Sequence, residues 1–382
     1  MKIVVAFDSF KGCLTATEAC QAAALGCPAS AQVVQVPLSD GGEGLTHVLC
    51  SATQGSMQHI AAHNALMQPI TASYCILGDG KTACIEMAAT CGLPLIPAQH
   101  RNPMHTSTYA FGEMILHALQ QGITRFILGL GGSATNDAGM GMLQALGYRF
   151  MDKSNTVITT PLCGRHLSEI QLIDATQVHP LLHNATFTAA CDVQNVLYGK
   201  QGAAYVFAPQ KGATPEQVET LDKGLQHFAQ LCSDNVHLAP GSGAAGGLGF
   251  ALMQFLHAQL MPGINLVLQT THFAQKIQGA TLILTGEGQS DRQTLMGKVP
   301  HGVLTNAAGI PVALLSGNIK DANQLKAAGF AHLVNINQHS TLPLQQLLQR
   351  QVAQNHLCNA VKNLIVRCLL SSRSDNQHIF RK

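Results

Sequence analysis

Short, wholly apolar runs alternate with amphipathic stretches along most of this chain, the pattern of buried parallel strands joined by helices. Residues 3–7 are apolar and end at Asp8-Ser9-Phe10-Lys11-Gly12. Thr15-Ala-Thr-Glu18 reads as a capping box, predicting a helix to about Leu25 that Gly26 and Pro28 stop. Residues 32–37 predict a second strand, closed by Asp40-Gly41-Gly42-Glu43-Gly44, and a helix runs on to about Thr53. The pattern then changes. Two alternating runs, 70–77 and 82–87, flank Gly78-Asp79-Gly80-Lys81, a strong hairpin signal. A helix over 108–121 follows, then a strand, turn and helix over 125–146. Residues 148–185 are polar and irregular, and 185–192 predict a strand ending in an acid. Thr214 and Pro215 start another helix, and a glycine-rich turn at 240–247 precedes an apolar helix over 249–260. From about residue 280 the first pattern returns, with strands at 281–285, 311–315 and 332–336 and a final helix over 343–370.

Two strands at the front and three at the back complete one five-stranded parallel sheet. The predicted fold class is α/β in two domains. A discontinuous flavodoxin-like parallel-sheet domain, 1–55 plus 275–382, carries an inserted mixed α/β domain, 56–274. Ligands of such sheets bind beyond the carboxyl ends of the strands, which places Asp8, Asp40, Glu287 and Ser316 on one edge.

Composition narrows the function. The chain has 382 residues, is 46% hydrophobic and only 11% charged, and its net charge of +2 comes without a long basic run. Together with the lack of Trp, this argues against a nucleic-acid partner, and no apolar run reaches membrane-spanning length. Twelve cysteines lie scattered with no Cys-x-x-Cys pair, as expected of small buried hydrophobes in a reducing compartment. The N-terminus reads directly as a strand rather than a signal peptide. A soluble, cytoplasmic protein is the expectation.

The densest candidate chemistry lies at 127–141. A buried strand breaks at Gly131-Gly132, and Ser133, Thr135, Asn136 and Asp137 follow before an apolar helical pattern. Free N–H groups and a helix dipole converge at such a junction, which predicts a phosphate cradle of Gly131, Gly132, Ser133, Thr135 and Asn136. Asp137 would repel a phosphate unless a cation lies between them, so it points to Mg²⁺ with a nucleoside triphosphate. The plain alternative is a packing turn. The same letters fit G-x-G-x-x-A with Asp152 downstream, which leaves open an NAD(P)-dependent oxidoreductase acting on a small hydroxy acid. A non-catalytic binder of small carboxylates is a further alternative. Gly80-Lys81-Thr82 lacks the earlier glycine of a P-loop, and Gly297-Lys298 is followed by Val299.

Asp8, Asp40, Glu43, Asp192, Glu287 and Asp291 each follow an apolar strand or the glycine turn after one. Any one of them could be a helix cap. As a set, in a chain with only twenty Asp and Glu, they suit Mg²⁺ binding and a general base for a hydroxyl group. Lys11, Lys211 and Lys298 likewise follow strand ends or glycine turns, where an ammonium holds a phosphate or carboxylate; a solvated loop lysine is the alternative.

Several long motifs then appear in one order: Asp8-Ser-Phe-Lys11-Gly, Asp40-Gly-Gly-Glu43-Gly44, 78–88, 129–141, Ala190-Cys-Asp192-Val, Phe207-Ala-Pro-Gln210-Lys211-Gly212, 240–247, and Gly286-Glu287-Gly through Gly297-Lys298-Val-Pro. In these the chain resembles, over nearly its whole length, the bacterial glycerate kinases that phosphorylate the 2-hydroxyl. It departs from them at Ala138-Gly139, where the family reads Gly-Gly, at 63–69, and at Gln289, where the family often has a basic residue. The resemblance implies two α/β domains with a cleft between them, ATP and D-glycerate as the small-molecule partners, and 2-phosphoglycerate and ADP as products. It leaves a homo-oligomer open. Combined with the residue reading, it puts Asp192, Lys11, Asp8 and Lys298 in catalysis and Asp40, Glu43, Glu287, Asp291 and Lys211 in substrate binding. Asp137 and Asp192 are expected to hold Mg²⁺.

Overall fold

The computed structural model describes residues 1–42 and 44–379, with side-chain surroundings as far as residue 368. The chain divides into two compact units, Met1–Asp40 with Val267–Lys382, and Gly41–Leu266.

The first unit is built on a five-stranded sheet in the order His332–Asn335, Val312–Ser316, Leu282–Gly286, Lys2–Phe7, Gln32–Gln35. All its pairs are parallel, so the flavodoxin-like order expected from the sequence is observed. The three central strands read as continuous apolar runs because both sheet faces are covered: Ile3 to Phe7, Leu282 to Gly286 and Val312 to Ser316 are all buried. One cover is the helix Ala16–Leu25, whose Ala19, Cys20, Ala22 and Ala23 share a core with Leu357, Val361 and Leu364 of the helix Arg350–Ile379. Gly26 permits that approach, since a Cβ there would stand 2.5 Å from the Cys358 carbonyl oxygen. The capping box forms as predicted: Thr15 Oγ1 accepts from the Glu18 N–H, and the Glu18 carboxylate accepts from the Thr15 N–H.

The second unit carries a six-stranded mixed sheet, in the order Gln259–Met261, Thr186–Ala190, Arg125–Gly129, Thr82–Glu86, Pro69–Ile76, Ser56–His63. The first four strands are parallel, and the last two continue antiparallel through the predicted hairpin. Two of these strands differ from the sequence reading. Ser56–His63 lies at the sheet edge with one face open, so its hydrophobic pattern is weak. The helix expected over 249–260 ends at Leu256, because His257 turns left-handed and releases Gln259–Met261 to pair with Thr188–Ala190. The unit boundary differs too. Residues 41–55 join the second unit, because the N–H groups of Gly44 and Thr46 donate to Glu86 at the end of its strand.

Thr15→Ala removes the helix cap and leaves one end of that helix unsatisfied. Its expected cost is about 1 kcal/mol, read as a lower urea midpoint at unchanged slope.

Candidate active site

A cavity of about 470 Å³ opens in the second unit. Gly131, Gly132, Ser133, Lys211 and Asp192 all line it, although they come from three separate stretches of sequence. Leu93, Pro94, Leu130, Ala190, Cys191, Val193, Phe207, Ala244 and Ala245 supply apolar wall, and Gly41, Gly42, Arg101 and Gln210 complete the lining.

Parallel register explains the convergence. Gly129 and Ala190 are paired ends of adjacent strands, so the loops that follow, 130–133 and 191–193, leave the sheet side by side. Gly132 takes φ +73°, which lets the chain turn with its backbone facing the cavity. Lys211 arrives from the short turn Pro209–Lys211 and is only 2% exposed. Its Nζ donates to Ser133 Oγ at 2.8 Å and to the Thr135 carbonyl oxygen at 2.7 Å. Burial pulls the Lys211 ammonium down to about 7, while the Asp137 carboxylate pulls the other way. The result is a cation fastened directly behind a glycine loop, which fits an anionic ligand. Asp192 is exposed, and its Oδ1 accepts the Gly263 N–H at 3.0 Å. Arg101 was not singled out from sequence. It lines the cavity with Nε donating to the Ile96 carbonyl oxygen, and among the described residues no carboxylate pairs with it. Only the close packing of its backbone against Gly212 brings it here: a Cβ on Gly212 would lie 2.2 Å from the Arg101 oxygen.

Two expected members of the cradle, and the expected metal ligand beside them, are not on the cavity wall. Thr135, Asn136 and Asp137 are fully buried. The turn at Gly246 packs onto Thr135 and Asn136 from behind, leaving 2.1 Å between a Cβ at Gly246 and the Thr135 oxygen. The expectation that Asp137 holds Mg²⁺ is corrected. Its carboxylate accepts the Thr108 N–H and Oγ1–H, both at 2.8 Å, the Gly139 N–H at 3.1 Å and, more weakly, the Gly141 N–H at 3.4 Å. Burial nevertheless raises its carboxyl above the ordinary value against those bonds. It ties the loop to Thr108, at the start of the helix Tyr109–Gln120, and does not line the cavity. Among the described residues no three acidic, His or Cys side chains converge on a metal position. Asp192 is the one carboxylate among the described residues that lines the cavity, and a lone carboxylate suits an ion that keeps waters and phosphate oxygens as most of its ligands.

The first unit gathers a second group at the carboxyl edge of its sheet. Asp8 and Glu287 follow the adjacent strands Lys2–Phe7 and Leu282–Gly286, and both are nearly buried. This is the point where the strand order reverses, the usual ligand crevice of such sheets. Burial, with help from Asp40 and Glu287 and against the Ser9 N–H and Lys11, raises Asp8 to about 7. Glu287 accepts from Thr294 Oγ1 at 2.7 Å and Ser290 Oγ at 3.1 Å, and Lys298 Nζ stands 3.7 Å from its other oxygen. Ser290 Oγ in turn meets Ser316 Oγ at 2.6 Å. Asp291 does not join this group as a free carboxylate: it caps the turn Arg292–Leu295, accepting from the Gln293 N–H and from Gln289 Nε2. Glu43 lies outside the described residues.

Two α/β units, one with an anion-binding cavity and one with an acid–lysine cluster, define a class of enzyme that handles phosphate on a small acidic molecule. The chain matches the glycerate kinase family over residues 3–369 and belongs to that family. It is 43% identical over 330 residues to the glycerate 2-kinase of Escherichia coli K12, covering 84% of this chain and 86% of the relative. It is 42% identical to the glycerate kinase of Bacillus subtilis 168, covering 88% and 90%. A crystal structure from Salmonella typhimurium LT2 described as glycerate kinase 2 superposes with a TM-score of 0.87 at 37% identity, covering 98% of this chain and 99% of the other. The protein is therefore a phosphotransferase, and the nicotinamide and non-catalytic alternatives fall away. No helix among the described residues is long and apolar enough to cross a membrane.

Asp137→Ala strands the buried Thr108 and Gly139 donors and is expected to destabilise the protein by on the order of 3 kcal/mol in urea unfolding. A second expectation concerns Lys211. Its folded value of about 7 lies below the ordinary 10.5, so the unfolded chain binds the extra proton between those pH values and stability rises with pH there. The stability of wild type relative to Lys211→Met should therefore climb from about pH 7 towards 10.5; a flat difference across that window would contradict the burial of this charge.

Proposed function

We propose that the protein transfers the γ-phosphoryl group of ATP to the 2-hydroxyl of D-glycerate, giving 2-phosphoglycerate and ADP. The observation that carries this reading is Lys211, buried and fixed behind the Gly131–Ser133 loop in a cavity large enough for a nucleotide. Its support on the regiochemistry is the relationship to the Escherichia coli protein named glycerate 2-kinase.

Phosphoryl transfer asks the protein for positioning and charge stabilisation more than covalent chemistry. In this reading the amides of Gly131 to Ser133, with Lys211 and Arg101, hold the phosphate tail, and the apolar wall of Leu93, Pro94 and Phe207 takes the base. Asp192 is the carboxylate that would face Mg²⁺ carried on the triphosphate, and the ion would screen the triphosphate charge. Lys11 and Lys298 neutralise the glycerate carboxylate, and Asp40 and Glu287 line that side. Asp8 accepts the proton of the attacking hydroxyl. Spacing along the chain leaves open which acid takes that step; the raised carboxyl of Asp8 supports this assignment, because a base works best when its pKa lies near the working pH.

Incubation with ATP, Mg²⁺ and D-glycerate should release ADP and give a single 2-phosphate signal by phosphorus NMR. No ADP above the glycerate-free control would overturn the reaction, and a 3-phosphate product would overturn the regiochemistry alone. For Asp8, kcat/KM of wild type should rise with pH through about 7, and Asp8→Asn should lose that limb and fall on the order of 100-fold or more. Stability should move the opposite way. A carboxyl raised in the folded state costs stability as pH rises from 3.8 to about 7, so Asp8→Asn should gain on wild type across that window and hold the gain above it.

A further inference from the structure

We infer that Glu86, which does not reach the cavity, is a positioning residue that locks together the two glycine loops forming one of its walls. The inference rests on the reading of that cavity as the site of the nucleotide's phosphates. Glu86 ends the strand Thr82–Glu86 and is in register with Gly129 of the neighbouring strand. Its side chain reaches across that neighbour. Oε1 accepts the Gly44 N–H at 2.9 Å and Oε2 accepts the Thr46 N–H at 2.8 Å. These are unsatisfied donors at the start of the helix Leu45–Thr53, whose N-cap, Gly44, has no side chain to meet them. A carboxylate there is also favoured by the helix dipole.

Glycines on both sides make room for this bridge. A Cβ at Gly129 would stand 3.1 Å from Glu86 Cγ and 3.3 Å from Leu45 Cδ2. The first glycine of the cradle stretch therefore serves as the gap through which Glu86 passes. Beyond it the two loops approach each other, since a Cβ on Gly131 would lie 3.4 Å from Gly42 Cα, and Gly41 packs in turn on the end of the next strand, where a Cβ would lie 2.9 Å from Ala190 Cβ. Gly41, Gly42, Gly131 and Gly132 all line the cavity. Gly41 and Gly44 both take φ +90°, and three glycines among four residues leave the loop few side chains with which to hold its own shape. A charged anchor from the adjacent strand supplies what the loop lacks.

Glu86→Gln keeps the shape but turns an amide donor towards N–H groups. Gly129→Ala leaves the charge and crowds the bridge. Both are expected to raise the KM for ATP on the order of tenfold, with kcat and the KM for glycerate within about threefold of wild type. A purely structural role would instead lower the active fraction, and so kcat, without moving the KM for ATP; that result in both variants overturns the inference. Hydrogen–deuterium exchange of the ligand-free protein gives a readout independent of nucleotide. Glu86→Gln should speed exchange at Gly44 and Thr46 and also at Gly131 to Ser133, whereas acceleration confined to 44–46 would overturn the coupling of the two loops. If wild type bound no ADP by calorimetry, the nucleotide reading would fail while the exchange experiment still decided the coupling.

Discussion

A buried ammonium must be hydrogen-bonded or neutral, and Lys211 is where that constraint organises the second unit. Its hydrogen-bond partners Ser133 and Thr135 lie in the loop after one strand, and the turn bearing Lys211 itself packs against Arg101. The side chain can remain there only if that loop keeps one shape. Asp137 supplies the shape from behind, accepting donors on both sides of the loop and on Thr108. The cavity's charge is thus set by a chain of buried contacts: carboxylate to loop, loop to ammonium, ammonium to ligand.

The first unit solves a different problem with similar means. Carboxylates crowded at the end of a parallel sheet repel one another and are poorly hydrated. Serine and threonine hydroxyls and Lys298 offset that cost for Glu287, whereas Asp8 is left raised to about 7. A carboxyl so raised costs the fold stability at neutral pH, and it stands at the strand-order reversal, which is why the proposed mechanism gives it the proton.

Much of this was legible in the sequence. The five-stranded sheet, the hairpin, the Thr15–Glu18 capping box and the acids and lysines at strand ends all follow from local pattern. Parallel strands are apolar on both faces, and their carboxyl ends share one edge. What local pattern misjudged were orientations. Asp137 looked like a metal ligand because it follows the glycine turn, but its direction is decided by Thr108, 29 residues earlier. Asp291, grouped with the substrate-binding acids, takes the cap role that its position also allowed. The strand Gln259–Met261 was hidden in a helical pattern because three residues at a sheet edge carry too little periodicity to announce themselves.

By itself, then, the sequence determined the fold class, the order of the first sheet, the glycine loop and the charge types available for phosphate chemistry. These depend on periodicity and on backbone freedom at glycine, both local properties. Tertiary structure alone decided which side chains face a ligand. It buried Asp137, Thr135 and Asn136, fastened Lys211 to Ser133, brought Arg101 to the cavity and joined Gly44 to Glu86. Each of those outcomes is a contact between distant residues, and no spacing along the chain encodes which face of a loop will be turned inwards.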